Sequence, residues 1–305
     1  MAGLVATAVL GCGPRPLPPK PLTAEVKAER ARQYEAAATH LLGHMERVSR
    51  VGARITIAGA PFCADQVKPF IGILSASRAS VTRQLGGHIA WIEAGAALRD
   101  AWEIDGNPEV LAVLPDSPAE KAGILPGDHV SDLWVEGDAP DAPLWVEVER
   151  AGRPIRAELP YIPECEYAVT ATIGDLVNAH VDGQNIIITT GLLRFVESDD
   201  ELAAVIGHEL GHRILGHRRS RLRSRERAAD YVGLYLAARA GYDPDAAKHF
   251  VRRLAAEHPE LISERASPAH PGTANRVAAL DRAVAEIRGK QTRGEPLWPE
   301  GVGRM

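Results

Sequence analysis

His208-Glu209-Leu210-Gly211-His212 sets two imidazoles four residues apart with a carboxylate beside the first. At about 100° per residue, positions four apart lie only about 40° apart around a helix, so both rings can reach one metal ion. Glu209 projects from an adjacent part of the same surface. There it can take a proton from metal-bound water and later pass it to a leaving amine. The HExxH pattern therefore reads as half of a hydrolytic zinc site.

A catalytic zinc site needs a third protein ligand and an open position for water. His217 is close in sequence, but on a continuous helix it lies about 140° around from His212 and points away from the metal. A metzincin-like pattern would place Gly and His where this chain has Leu215 and Arg218. Glu226 fits better. Glu226-Arg227-Ala228-Ala229-Asp230 begins the next helix, and an antiparallel hairpin turning at residues 218–223 brings it opposite the histidine pair. Asp230, four residues further on, can receive the second ring N–H of a ligand histidine and fix its orientation. The arginines at 213, 218, 219, 221, 223, 225 and 227 read as a solvated turn, favourable near a helix C-terminus. His180, His249 and His258 have no comparable context and are not expected to be ligands.

The elements that must hold these groups follow from composition and periodicity. With 305 residues and 45% hydrophobic content, the chain can bury one large or two modest cores. A net charge of -5 argues against a nucleic-acid-binding surface. No uninterrupted apolar run reaches the length of about 20 residues that a membrane-crossing helix needs. Residues 23–51 have the period of an amphipathic helix. Residues 55–102 give mixed signals, with an apolar run at 70–74 and a helix near 93–102. Strands are expected at 110–113, 144–149, 155–159, 167–173 and 185–190. A short helix closed by Gly123 and a Pro126-Gly127 turn follow the first of these. From Asp199 the chain reads as mostly helical, with helices at 199–219, 224–240, 243–258 and 273–288.

Two resemblances add to this reading. Residues 110–128, with Ser117-Pro118-Ala119-Glu120-Lys121-Ala122-Gly123 and Pro126-Gly127-Asp128, resemble the core of a PDZ domain. Residues 131–143 are too short and too rich in Pro and Asp for the usual second helix, so a peptide-binding groove and a structural spacer both stay open. The GHELGH stretch, preceded by residues 200–205 and followed by Glu226 through Asp230, resembles family forty-eight of the metallopeptidases, the HtpX, BepA and Oma-type proteases. Asn178-Ala179-His180, Gly183, the strand at 186–190 and Gly191-Leu192-Leu193 match its pattern too, so that the likeness covers about 165–280. It implies an α+β fold: a mostly helical zincin (minimal gluzincin) protease domain with a small sheet, beside the small β-rich PDZ-like domain. It implies one catalytic Zn²⁺ on His208, His212 and Glu226, with Glu209 as general base, in an endopeptidase acting on envelope or misfolded proteins. It also implies that the strand at 186–190 lines the cleft and pairs with an extended substrate. His270-Pro271 and Arg276 would lie near the metal, His270 stabilising an oxyanion, covering the open zinc position, or merely capping a helix. The interval between His212 and Glu226 is shorter than many members of the family have.

The N-terminus carries a separate signal. Val9-Leu10-Gly11-Cys12 after a short apolar stretch resembles a bacterial lipoprotein signal, which implies lipidation at Cys12. Gly13 after it implies sorting to the outer membrane, with a soluble periplasmic protein as the alternative. In an oxidising periplasm Cys63 and Cys165 can form one disulfide; two buried free thiols are the other reading. The resulting layout is a signal and Pro-rich linker (1–22), a helical or mixed region (23–104), a PDZ-like domain (105–160), a metallopeptidase domain (161–290) and a tail (291–305). Partners would be protein or peptide substrates, the membrane through the anchor, and an envelope protein at the PDZ-like domain. The rival function is a PDZ-bearing chaperone or assembly scaffold whose zinc site is structural or non-catalytic.

Overall fold

A computed structural model of the chain describes residues 23–63, 66–76, 108–136, 142–216, 223–263 and 272–301. Cys12, the helix expected near 93–102, His217 and His270 lie outside the described residues. Helix and sheet are both well represented, compatible with an α+β architecture.

Helix α1 (Ala24–Gly59) starts at Thr23, whose hydroxyl accepts from Val26 N at 3.3 Å. Ala38, Leu41, Met45, Val48, Val51 and Ile55 recur every three or four residues and bury one face. The helix outruns the expected end at residue 51, because Ile55 and Gly59 continue that face. Gly59 lets it approach the metal-site helix: a Cβ there would lie 3.0 Å from Leu210. Helix α1 therefore shares one core with the C-terminal half rather than forming a region of its own.

After α1 the chain enters a narrow neck. Strand β1 (Val67–Pro69) pairs antiparallel with β7 (Pro163–Cys165), Val67 opposite Cys165. Just before it, Cys63 is joined to Cys165 by a disulfide, with Cα atoms 5.6 Å apart and a sequence separation of 102. Closing a loop of about 100 residues restricts the unfolded chain by about 4.7 kcal/mol on loop entropy alone.

Between the two sides of the neck lies an antiparallel five-stranded sheet in order β2-β3-β4-β5-β6. Its strands are Ile73–Ala76, Glu109–Val113, His129–Val135, Leu144–Arg150 and Arg153–Leu159. Helix α2 (Pro118–Lys121) follows β3, capped by Ser117. Alternation along β5 buries Leu144, Val146 and Val148, which with Val110, Ile124 and Leu159 form a small separate core. Strand β4 was not expected from the sequence. Its central Ser131 and Asp132 are exposed, and a register shift between Val130 and Asp132 breaks the alternation that would have revealed it.

Past the neck, β8 (Ala168–Thr172), β9 (Ala179–Asp182) and β10 (Asn185–Thr189) form a three-stranded sheet in order β8-β10-β9. Here the structure corrects one expectation. Strand β10 pairs parallel with β8 and antiparallel with β9, so both its edges are taken and it has none left for a substrate. Among the described residues, β9 is the open edge on the side of the metal site.

Among the described residues, four longer helices follow the short α3 (Thr190–Phe195): α4 (Asp199–Ile214), α5 (Arg223–Arg239), α6 (Ala246–Glu257) and α7 (Thr273–Thr292). Ser198 accepts from Glu201 N, and the Glu201 carboxylate accepts from Glu197 N, a reciprocal cap that fixes the start of α4. Helix α4 ends at Ile214, short of the expected 219, where Gly216 takes φ 64°. At the other end of the chain, Trp298 packs on Phe62 and accepts from Lys290 Nζ through its carbonyl, so residues up to 298 belong to the core rather than to a tail.

Candidate metal site

Helices α4 and α5 lie against each other closely enough to exclude side chains along their line of contact. A Cβ on Gly207 would sit 2.6 Å from Gly233 O, one on Gly211 would sit 2.8 Å from Ala229 O, and one on Gly233 would sit 2.6 Å from His208 N. Glycine at these positions is what allows the backbones to touch. Sequence reasoning did not single them out, although Gly207 and Gly211 precede the two histidines at the same spacing of four.

This approach brings the expected ligands together. His208 Nε2 lies 3.5 Å from one oxygen of Glu226, and His212 Nε2 lies 3.5 Å from the other. The two Nε2 atoms are 3.1 Å apart. One ligand atom from each of the three residues falls within 4.8 Å of the others. Glu226 is buried at 5% exposure, and the two histidines are half-buried. Two imidazole nitrogens and a carboxylate oxygen converging at a cleft are a donor set that suits zinc.

Asp230 stands behind His208 with Oδ1 2.8 Å from Nδ1. The contact turns the Nε2 atom toward Glu226 and His212. Arg276, from the first turn of α7, donates to both oxygens of Asp230, through Nε at 2.8 Å and a terminal nitrogen at 2.7 Å. Burial opposes ionisation of Asp230, yet Arg276 and His208 hold its carboxyl well below the usual carboxylate range. Burial likewise disfavours a charged His208, but Asp230 and Glu226 outweigh it and push the imidazole up to about 9. A metal ion taken up on that ring must displace this proton.

Glu209 and His208 form part of the wall of a pocket of about 180 Å³, which Asn178 and Ala179 at the start of β9 also border. That edge is held by Thr189, which accepts from Asn178 N at 3.2 Å, and by Gly191, where a Cβ would lie 2.4 Å from the carbonyls of Asp175 and Leu176. A larger cleft of about 490 Å³, between α1, the neck and β8, contains none of the metal-site residues. Chemistry, not size, selects the smaller pocket.

An HExxH helix completed by a glutamate from the following helix is a metallopeptidase type of site. The sequence profile of Peptidase family M48 matches residues 147–223 and 219–284 of this chain. The chain is also similar to the mitochondrial metalloendopeptidase OMA1 of Arabidopsis thaliana, 26% identical over 194 residues, 51% of this chain and 40% of that protein. The mitochondrial metalloendopeptidase OMA1 of Schizosaccharomyces pombe is 23% identical over 158 residues, 38% of this chain and 47% of that protein. The matched stretch thus spans less than half the length of either relative. These likenesses support an M48 peptidase domain in the C-terminal half.

Proposed function

We propose that the chain is a zinc-dependent endopeptidase that hydrolyses peptide bonds in unfolded or misfolded proteins. The observation that carries this reading is the convergence of His208, His212 and Glu226, with Glu209 left outside the donor set and facing the cleft. His208, His212 and Glu226 would hold the zinc ion, which when bound would supply polarisation of the scissile carbonyl and acidification of a water. Glu209 accepts the water's proton and returns it to the leaving nitrogen. Asp230 keeps Nδ1 of His208 protonated and its ring aligned, and Arg276 keeps Asp230 ionised. The open edge of β9 offers backbone groups to which an extended substrate can add as a further strand.

Glu226→Gln is expected to lower bound zinc to a small fraction of the unmodified protein, measured by atomic emission after dialysis, because it removes the anionic ligand. His217→Ala should leave zinc content unchanged. The opposite pattern would replace Glu226 by His217 as third ligand.

The five-stranded sheet is read as a PDZ-like module; helix α2 after β3 and the tight turn at Gly127, with φ 87°, support this. The chain is further read as an exported protein anchored by lipid at Cys12, which the Cys63–Cys165 disulfide supports, since such bonds persist in oxidising compartments. Cells expressing the chain should incorporate labelled palmitate into it, and Cys12→Ser should abolish the label. Equal labelling of both proteins would remove the anchor from this account.

A further inference from the structure

Residues 40–44 read His40-Leu41-Leu42-Gly43-His44, which repeats the His208-Glu209-Leu210-Gly211-His212 stretch at four positions of five. Both lie on helices, the first on α1 and the second on α4. The repetition extends to the side chains. The Nε2 atoms of His40 and His44 are 3.1 Å apart, with ring centroids 4.5 Å apart and planes at 75°. In the cleft, His208 and His212 hold their Nε2 atoms 3.1 Å apart, with centroids at 4.6 Å and planes at 88°. At the spacing of 3.1 Å, an ion about 2.0–2.1 Å from both nitrogens of the α1 pair would meet them at about 98°, between the square-planar and tetrahedral angles.

Helix α1 fixes the pair in place. Leu41 and Met45 are buried in the main core, which anchors this turn, while His40 is exposed and His44 half-buried. An ion can therefore reach the two rings from solvent. The arginines that act on His44 are each held by a carboxylate, Arg47 by Asp199 at 2.8 Å and Arg194 by Asp175 at 3.2 Å. We propose that His40 and His44 bind a second divalent transition-metal ion, of the class that imidazole favours: zinc, copper or nickel. Two differences from the cleft define its character. Leu41 stands where the cleft has Glu209, and it is buried, so no general base accompanies the ion. Among the described residues no third His, Cys, Asp or Glu joins the pair. Water fills the remaining positions, so the site binds more weakly than the three-ligand cleft and fills after it. It is a binding site and not a second reaction centre.

The test is equilibrium dialysis of the untagged full chain against rising free Zn²⁺, with bound zinc measured by atomic emission. Two equivalents should bind in two steps. Glu226→Gln should remove the first step and keep the second. His40→Ala should keep the first and weaken the second by about tenfold or more, as two-point attachment becomes one-point, and His44→Ala should do the same. His258→Ala, which removes an exposed imidazole elsewhere, should change neither step. His40→Ala also removes an exposed ring and is the arm least exposed to misfolding; the melting temperature of each variant reports its integrity. In Glu226→Gln, saturating zinc should raise the melting temperature, because the ion ties together one turn of α1, and adding His40→Ala should cancel the rise. A second step that survives both His40→Ala and His44→Ala would overturn the site. So would a single step at every zinc concentration that leaves the protein soluble, the result that a plain N–H···N bond between the two rings would give. The cleft is judged separately: absence of the step that Glu226→Gln removes would strike the cleft as a zinc site, while a step removed by His40→Ala would still establish the α1 site.

Discussion

Glu209→Gln is expected to retain bound zinc while losing about 10²- to 10⁴-fold in the rate of cleaving an unfolded protein, the range that a positioned general base contributes. The amide keeps the size and nearly the shape of the carboxylate but accepts no proton at neutral pH. Retention of zinc follows from the geometry, because the converging atoms belong to His208, His212 and Glu226. The comparison separates the two functional readings. A scaffold with a structural metal has no use for an ionisable group beside the ligands, so its behaviour would not change. Equal cleavage by both proteins, at equal zinc content, would remove Glu209 from the mechanism.

The second large effect concerns a residue with no reactive group. Gly207→Ala should destabilise the protein by about 2 kcal/mol and reduce its zinc content. Alanine gains about 1 kcal/mol of helix propensity over glycine. Against this, the added Cβ would meet Gly233 O at 2.6 Å, and the opposing atom is backbone, with no side chain able to swing aside. Overpacking costs about 1–3 kcal/mol where side chains can adjust, and more where backbones must separate. Separation of α4 from α5 moves both histidines away from Glu226 together. Gly43→Ala is the matched control: it lies in α1, a Cβ there meets nothing within 4 Å, and the change should stabilise by about 0.4–1 kcal/mol. Thermal melts of the three proteins, with zinc measured on each, decide the matter. A melting temperature for Gly207→Ala at or above that of the unmodified protein would show that the helix contact is looser than described.

The parts of the site visible in the sequence were those whose geometry is set within one helix. His208, Glu209 and His212 share one turn of α4, and Glu226 and Asp230 share one turn of α5, so residue spacing and helical period place each group on its own helix. What joins the two helices is non-local. The glycine contact and the Arg276 pair with Asp230 depend on how elements pack, which no window of sequence contains. Arg276 came into view only through family resemblance, without its partner. Strand pairing shows the same limit. The isoleucines of β10 reveal a buried strand, but not whether it lies at the centre or the edge of its sheet, and that order decides which strand a substrate can meet. Sequence periodicity similarly ended α1 too early, since the last buried turns serve contacts with β8 and with α4: a Cβ on Gly52 would lie 2.6 Å from Val169.

The neck at Cys63 and Cys165 has a mechanical consequence. Among the described residues the backbone leaves the main core and returns to it at points 5.6 Å apart, so the five-stranded sheet is joined to that core through a covalent clasp. The β1–β7 pairing, the hydrogen bond from Phe70 N to Ile162 O, and the contacts of Leu74 and Leu111 with the main core are among the other described attachments. The clasp sits against α1 at Gly59, where a Cβ would lie 3.1 Å from Cys165 Sγ and 3.0 Å from Leu210 of the HExxH turn. Load that passes through the clasp arrives at the back of the metal-site helix, and cutting the clasp would leave the backbone, the β1–β7 pairing and the contacts of Leu74 and Leu111 to carry it.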